Sequence, residues 1–149
     1  MGENIVDRLD IIEAERACER LVTRYALAVN DWDIDAFVSL FAPDAVWQRP
    51  GVQPLNGHGE IRGFMKSQPT KRILRHVNGL CLVDVIDADN ARCISQTTVY
   101  DTHGPATIPA PQGAPDMVVE YRDKLVRRDG EWYFAERNTT VVFSAAVKA

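Results

Sequence analysis

The segment from Arg72 to Gly79 contains the residue best suited to chemistry, because a histidine lies in the middle of what otherwise reads as a buried strand. His76 is one of three histidines in the sequence, and imidazole is the side chain that titrates near neutral pH. Held between apolar neighbours, it is a candidate acid or base. The alternative is a core histidine bonded to a backbone partner, and this segment taken alone favours that alternative.

The other reactive side chains form no recognised catalytic or metal-binding motif. His58, His76 and His103 have no metal-site spacing with one another or with the cysteines, so we predict neither a metal nor a cofactor. No nucleophile-elbow motif supports a Ser-His-Asp triad. His58, which lies between two glycines, is expected in a solvated loop. His103 opens a proline-rich loop, where it is either exposed or caps a pocket.

Composition and charge narrow the class of protein. The 149 residues are 46% apolar and 26% charged, which is typical of one globular domain over residues 1–149. A net charge of −4 without a basic cluster argues against a nucleic-acid or anionic-membrane partner. The hydrophobic runs are too short to span a bilayer, and the first residues lack the pattern of a signal peptide. The odd number of cysteines predicts buried free thiols in a cytoplasmic protein: Cys18, Cys81 and Cys93.

The long helix that would face His76 can be read from the hydrophobic period. From Ile11 to about Val29 the apolar residues recur with helical spacing and form one face that includes Tyr25. A tyrosine on such a face is usually a core residue whose hydroxyl is bonded to a neighbour. If the face borders a cavity, the Tyr25 hydroxyl becomes a polar group inside that cavity.

Two shorter helices and a short strand follow in the sequence. Asp33 suits the N-cap of a second helix, whose apolar side holds Phe37, Leu40 and Phe41 and which closes at Pro43. A short strand is predicted over residues 45–47 and a loop over residues 49–57. A third helix is predicted from about residue 59 to residue 67.

The chain from residue 71 onward alternates with a period of two, which predicts four long antiparallel strands. We expect these strands over residues 72–86, 91–101, 117–127 and 132–143, with a bulge at Gly79. The loop over residues 103–115 contains four prolines and is long enough to act as a flap. The predicted fold is α+β: a curved antiparallel sheet wrapped around the long N-terminal helix and the two shorter ones. Such a cone leaves a small-molecule pocket at its mouth.

Several segments resemble SnoaL-like proteins of the nuclear-transport-factor-2-like superfamily. The resemblance begins with RYALAVNDWDIDAF (24–37) and LFAPDAVW (40–47). It continues with GEI (59–61), RHVN (75–78) and YRDKLVRRDGEW (121–132), in the order that the family shows. It covers nearly the whole chain and implies an α+β cone barrel with an apolar pocket, commonly a dimer through the outer face of the sheet.

The same resemblance implies an acid–base set. In the dehydratase-like branch the set is a tyrosine on the first helix, an aspartate five residues later and a histidine on the first long strand. Tyr25 and His76 match two members, whereas Asn30 stands where the aspartate is expected. Asparagine can orient an imidazole by hydrogen bonding but cannot accept its proton. For Asn30 to reach the pocket, the first helix has to end near Val29.

Further pocket residues are expected on the faces that surround His76. The aromatic residues are first of all expected in the core, and in a cone-shaped fold they would also form the wall of the pocket. The second long strand presents small and polar side chains at the place where, by the resemblance, the dehydratases have a further polar group. These candidates are Trp47, Phe64, Tyr121, Ser95, Thr97 and Val99. Asn78 shares the His76 face unless the bulge at Gly79 intervenes. Arg75 points to the opposite face, where we expect a dimer contact.

Two functions from different classes fit these observations. The first is a cofactor-independent lyase, isomerase or cyclase that acts on a hydrophobic, oxygenated ring compound. In it His76 is the base, the Tyr25 hydroxyl polarises an oxygen of the substrate, and Asn30 holds His76 or the substrate. The second is a non-catalytic module that binds a ligand or stabilises a partner, which Asn30 in the position of the acid favours. For either function we expect a small hydrophobic organic ligand and a homodimer.

Overall fold

The structure is a computed structural model that describes residues 5–145, and it confirms the α+β class. The helices are α1 (Ile5–Asn30), α2 (Ile34–Ser39) and α3 (Gly57–Ser67). The strands are β1 (Phe41–Gln48), β2 (Leu55–Asn56), β3 (Arg72–Asp87), β4 (Asn90–Pro105), β5 (Met117–Arg128) and β6 (Glu131–Ser144). Among the described residues, no helix is both long and apolar enough to cross a membrane.

The strands form one six-stranded sheet in the order β2-β1-β6-β5-β4-β3. The four long strands make the predicted antiparallel meander, but β1 pairs in parallel with β6, so the sheet is mixed rather than wholly antiparallel. The sheet is also open, with β2 and β3 at its edges. Alternation within a segment shows that it is a strand but not which distant strand it pairs with. The parallel pairing of β1 with β6 could therefore not be predicted from the sequence.

Helix α1 lies across the inner face of the sheet, mainly against β3, and α3 packs on β1 at the other edge. The predicted apolar face of α1 is confirmed, because Cys18, Leu21, Tyr25 and Val29 are all buried. The helix begins at Ile5, before the point at which its apolar period can be read from the sequence. The added turns contain no helix-breaking residue, and their described side chains are exposed, so they give no apolar period to read.

The C-terminus of α1 is a Schellman motif, which decides where Asn30 points. The backbone N–H of Asp33 donates to the carbonyl of Ala28 (3.0 Å), and that of Trp32 donates to the carbonyl of Val29 (3.1 Å). Trp32 occupies the left-handed position of this motif with φ of 54°, where glycine is usual. Asn30 is therefore the last helical residue, and its side chain is free to reach β3.

Helix α2 is shorter than predicted because the residues expected at its end belong to strand β1. Asp33 caps it as expected, since its Oδ1 accepts the backbone N–H of Ala36 at 3.0 Å. The helix ends at Ser39, and Phe41 already belongs to β1, where it pairs with Phe134. Pro43 lies inside β1, at a break in the β1–β6 register where a missing N–H is tolerated.

Helix α3 starts at Gly57, so His58 belongs to its first turn and not to a solvated loop. The His58 ring is half-buried, and its Nε2 lies 2.7 Å from the carbonyl oxygen of Phe41. A ring nitrogen facing a carbonyl oxygen must donate to it, so His58 fixes α3 to β1. The predicted loop before α3 also contains the short strand β2.

The bulge predicted at Gly79 is confirmed by a register shift in the β3–β4 pairing between Asn78 and Cys81. Strand β4 continues to Pro105, so the proline-rich loop is shorter than predicted. Its residues, among them Ile108, lie beside Arg75 and Tyr100, which are on the outer face of the sheet. The loop therefore covers the outer face rather than the inner one, against the expectation that it could cap the cone.

His103 is exposed, and two of the three cysteines are buried as predicted. The His103 side chain is exposed and pairs with Asp116, which stabilises the base of the loop rather than a pocket. All three cysteines are free, with Cys18 and Cys93 buried as predicted. Cys81 is exposed, with its Sγ 3.8 Å from that of Cys93, because the bulge places it at an irregular point of the sheet edge.

Candidate active site

The inner face of the sheet, α1 and α3 enclose a cavity of about 340 Å³. Its lining follows the inward-facing residues of each strand from the rim toward the interior. On β4 these are Asp101 and then Val99; on β3 they are Arg72, Leu74 and His76. The lining is mainly apolar, and the few polar groups are placed at distinct points, which is typical of small-molecule sites.

His76 is held by Asn30 through one oxygen. The Asn30 Oδ1 accepts the backbone N–H of His76 at 2.8 Å and lies 3.1 Å from the His76 Nδ1. The backbone N–H can only donate, so it identifies this amide atom as the oxygen. An oxygen acceptor then requires the proton on Nδ1, which leaves the lone pair on Nε2. Within residues 5–145 the Nε2 has no hydrogen-bond partner, and His76 lines the cavity.

The surroundings of His76 favour the neutral ring. Burial, together with the positive charge of Arg137, lowers the pKa of His76 to about 4, although the negative charge of Asp101 partly opposes this. At neutral pH the imidazole is therefore uncharged, and its lone pair is available to accept a proton.

Tyr25 faces His76 across the deep end of the cavity. The two ring centroids are 6.4 Å apart and the rings are nearly perpendicular, at 87°. Burial raises the pKa of Tyr25 well above its ordinary value, and the neighbouring Tyr121 raises it further. The phenol therefore keeps its proton, which it donates to the oxygen of Tyr121 and can redirect to an oxygen of a ligand in the cavity.

A buried ion pair lies beneath the phenols of Tyr25 and Tyr121. The guanidinium carbon of Arg137 is 4.0 Å from the ring centroid of Tyr25 and 3.7 Å from that of Tyr121. Arg137 is fully buried, and its Nε lies 3.4 Å from the Oδ1 of Asp123. Burial raises the pKa of Asp123 to about 6, although Arg137 pulls it in the opposite direction. This pair places the guanidinium of Arg137 against the rings of two tyrosines that line the cavity.

Sequence reasoning missed Arg137 for an identifiable reason. The turn at Asp129 and Gly130 fixes the β5–β6 hairpin, but the register shifts between Lys124 and Leu125. Counting back from the turn pairs Asp123 with Glu136, whereas the structure pairs it with Arg137. A bulge of this kind leaves no clear mark in the sequence, so the ion pair could not be read from it.

Two other arginines, which do line the cavity, were also not predicted from the sequence. Arg72 pairs with Asp101 (Nη1 to Oδ2, 2.8 Å). Its guanidinium lies 5.2 Å from the ring centroid of Trp32. Arg49 stacks on Phe64, with its guanidinium carbon 3.8 Å from the ring centroid. The sequence did hold a signal for Arg49, because it follows Trp47 by two residues and so continues the inward face of β1.

The predicted pocket residues divide into two groups. Trp47, Phe64, Val99 and Tyr121 border the cavity, which leaves their role in substrate binding a prediction. Asn78, Ser95 and Thr97 do not border it, which corrects the expected lining.

The physical reason for this correction is depth along the strands. On β3 and β4 the lining ends at the paired residues His76 and Val99, and the next inward residues of these two strands lie beyond it, although β5 lines the cavity as far as Tyr121. Ser95 pairs with Tyr121 in the register and is fully buried, and the Thr97 hydroxyl donates to the Oδ1 of Asn78 at 2.9 Å. Asn78 itself is exposed, at the start of the bulge.

Comparisons with known proteins identify the family and the fold of this chain. A family model described as a SnoaL-like domain matches residues 10–138. A search of curated proteins finds no match.

Solved structures show the same fold at low sequence identity. A type 2 hexachlorocyclohexane dehydrochlorinase (LinA) is 17% identical, with 95% of this chain and 94% of that chain covered and a TM-score of 0.79. A provisional scytalone dehydratase from Novosphingobium aromaticivorans is 17% identical, with 94% and 91% covered and a TM-score of 0.79. A protein of unknown function from Mycobacterium tuberculosis is 23% identical, with 98% and 80% covered and a TM-score of 0.76. At these identities the likeness shows the fold alone.

Proposed function

We propose that this chain, which belongs to the SnoaL-like domain family, is a cofactor-independent lyase, isomerase or cyclase for an apolar, oxygenated ring compound. One observation carries the proposal: a neutral His76, with its lone pair on Nε2, lines a largely apolar cavity opposite a protonated phenol. A base and a hydrogen-bond donor on two sides of one cavity are what proton abstraction next to a carbonyl requires.

The reaction assigns one role to each of three residues. The His76 Nε2 takes a proton from the carbon next to a carbonyl, and the C–H electrons pass to the carbonyl oxygen. Tyr25 donates a hydrogen bond to that oxygen as negative charge develops there. Asn30 keeps the ring in the reactive tautomer. When the enolate electrons return, they expel a leaving group, move a double bond or close a ring, and these outcomes correspond to lyase, isomerase and cyclase. The His76 imidazolium returns its proton to the departing group, to the distal carbon or to the newly formed oxyanion, respectively, and becomes neutral again.

The low pKa of His76, about 4, restricts the substrates that this site can serve. A weakly basic imidazole is efficient only if the proton it removes is acidic or the resulting anion is stabilised. Arg137 supplies such stabilisation, because its guanidinium lies 4.0 Å from the ring of Tyr25. We therefore propose an activated C–H, next to a ketone or a comparable group, as the site of reaction.

Structural neighbours support a reaction of this type. Two of them are named for eliminations, one of hydrogen chloride and one of water. Loss of a leaving group after proton abstraction is one of the three outcomes proposed above.

A non-catalytic ligand-binding pocket is the second candidate function, and one observation favours it. The partner of His76 is the amide of Asn30 and not a carboxylate, so this partner supplies no negative charge to stabilise the imidazolium once it forms. Such a site orients a ring firmly but gains little from protonating it.

The proposal also includes a homodimer in the cytoplasm. The outer face of the sheet exposes several apolar side chains, among them Val77, Leu80 and Leu82, and we propose that a second copy of the chain covers this face. The odd number of cysteines, three, is what supports the reducing compartment in this proposal.

Deuterium exchange tests the proposed proton abstraction without knowledge of the natural substrate. A panel of cyclic ketones with acidic protons, such as 2-tetralone, is incubated in D2O and followed by NMR. The wild-type protein should accelerate exchange, and His76→Gln should lower that acceleration by roughly 10²–10⁴-fold. Tyr25→Phe should lower it as well, whereas Arg92→Gln, at an exposed position that does not line the cavity, should not.

The outcomes separate the two candidate functions. Exchange that His76→Gln leaves unchanged contradicts the base role of this residue. If the ketones bind but the wild-type protein accelerates no exchange, the cavity is a binding site and the enzymatic proposal fails.

A further inference from the structure

We infer that the ligand of this cavity is an organic carboxylate, whose anionic group pairs with Arg49 while its apolar ring extends toward His76. The inference rests on the proposed function only in that it names the class of substrate for the same cavity. Its binding component holds whether or not a reaction follows.

Arg49 is a cation without a counter-ion in the described part of the chain. Its guanidinium carbon lies 3.8 Å from the ring centroid of Phe64 and 5.3 Å from that of Trp47. The Nε is buried, and among residues 5–145 no acceptor or carboxylate is bonded to Arg49. Burial lowers the pKa of Arg49, which records the cost of removing this charge from water. A carboxylate on the ligand would supply the missing acceptors and offset that cost.

The remaining charges of the cavity wall do not neutralise Arg49. The other cation, Arg72, is already paired with Asp101 at 2.8 Å, and His76 is uncharged at neutral pH. The wall therefore carries two cations and one anion, a surplus of one positive charge, in a chain whose net charge is −4. A local surplus of the opposite sign attracts an anion into the cavity.

The buried polar atoms of the wall that lack a partner among the described residues are also all hydrogen-bond donors. Besides the Nε of Arg49, the Nε of Arg72 and the indole Nε1 of Trp32 are buried without an acceptor among the described residues. All three residues line the cavity. Unpaired buried donors are costly, and a ligand rich in acceptor oxygens satisfies them.

The fold places this group across the cavity from the base. Arg49 follows β1 near one edge of the sheet, and His76 is on β3 at the opposite edge. Apolar side chains of the strands between them, such as Met117 and Val119, form the wall on which a ring can lie. Stacking on Phe64 holds the planar guanidinium flat, the arrangement that binds a carboxylate through two parallel hydrogen bonds.

Calorimetry with a matched pair of non-reactive probes tests the inference. The probes are 2-naphthoate and 2-naphthamide, which share a ring but differ in charge. The wild-type protein should bind the acid about tenfold more tightly than the amide, the size of effect expected from one charge-assisted pair. Arg49→Gln should abolish that preference and Arg49→Lys should retain part of it. Arg92→Gln removes an exposed arginine that does not line the cavity and should leave the preference intact.

The inference is overturned if the wild-type protein binds the amide as tightly as the acid, or if Arg49→Gln keeps the preference. The first comparison needs no variant, so it decides the matter even if Arg49→Gln fails to fold. Neither probe carries a proton that His76 could remove. His76→Gln should therefore keep the preference for the acid, and a failure of the acid–base proposal in the exchange assay stays distinct from a failure here.

Discussion

The side-chain oxygen of Asn30 determines the tautomer of His76, the proposed base. The Oδ1 of Asn30 faces both the backbone N–H and the Nδ1 of His76, and so it fixes the ring orientation and the tautomer together. A carboxylate in the same place would do both and would also stabilise the charged ring. Asn30 thus preserves the geometry of an acid–base pair and leaves the imidazole a weak base.

Asn30→Asp should convert His76 into a stronger base. The added negative charge favours the imidazolium, so the pKa of His76 rises above its present value of about 4. Because the neutral ring is the active form, activity in the wild-type protein should be lost as the pH falls through about 4, and in the variant it should be lost at a higher pH. At neutral pH, exchange should accelerate on the order of tenfold.

The measurement is an NMR titration of His76 together with the pH dependence of deuterium exchange. Asn56→Asp adds the same charge at an exposed position outside the cavity and should change neither result. A pKa of His76 that stays the same or falls in Asn30→Asp would show that Asn30 is not its effective partner.

These residues also show how far the sequence alone could reach. Tyr25, Asn30 and His76 were predicted, because the helical period, a resemblance over the same segments and a lone histidine in a strand all pointed to them. Arg49 and Arg137 were not predicted, because their roles depend on stacking and on a register shift. Asn78, Thr97 and Ser95 were placed in the lining because alternation gives the face of a residue but not how deep a cavity extends.

At the scale of elements, the end of α1 is what brings Asn30 to β3. The Schellman motif stops the helix one residue after Val29, and its left-handed position is occupied by Trp32, with φ of 54°. A left-handed conformation costs a non-glycine residue roughly 1–2 kcal/mol. The tryptophan is kept there although glycine would fit the backbone better, and its ring forms part of the cavity wall.

Replacing Trp32 by glycine and by alanine isolates this backbone cost. Both variants lose the ring and its contact with Arg72, but only glycine relieves the strain. Trp32→Gly should therefore be more stable than Trp32→Ala by about 1 kcal/mol, measured as the free energy of unfolding in urea. At Thr23, an exposed position within α1, the same pair of substitutions should show the reverse order, with alanine the more stable by about 1 kcal/mol. Equal stability of the two Trp32 variants would contradict the assigned conformation.

Element types were predictable, whereas their ends and pairings were less so. The apolar period located α1 and the alternation located the four long strands, since each pattern repeats many times. The end of α2 and the parallel pairing of β1 depend on the contact between Phe41 and Phe134, which are far apart in the chain. No local pattern records such a contact.

At the scale of the whole molecule, the sheet has two different faces. Its inner face holds the cavity, and its outer face exposes apolar residues of β3 and β4, including Leu82 and Ile94, which pair directly across the strands. Exposed apolar side chains grouped in this way are typical of an interaction surface. This is the face that we propose a second copy covers.

Leu82→Glu should separate the proposed dimer into monomers, because it places a charge on the apolar face. Leu27→Glu is the matched control, since it changes an equally exposed leucine on α1, away from the sheet face. Analytical ultracentrifugation should show a dimer for the wild-type protein and for Leu27→Glu, and a monomer for Leu82→Glu. A wild-type monomer, or a dimer that Leu82→Glu leaves intact, would contradict the assignment of this face.

The central claim is that His76 is a neutral imidazole whose free lone pair, on Nε2, faces the cavity at neutral pH. Nitrogen NMR of protein labelled in the histidine rings measures this directly and requires no substrate. We predict a proton on Nδ1, an unprotonated Nε2, and a ring that stays neutral until the pH falls to about 4. A proton on Nε2, or a ring that becomes charged near its ordinary pKa of about 6.5, would contradict the account.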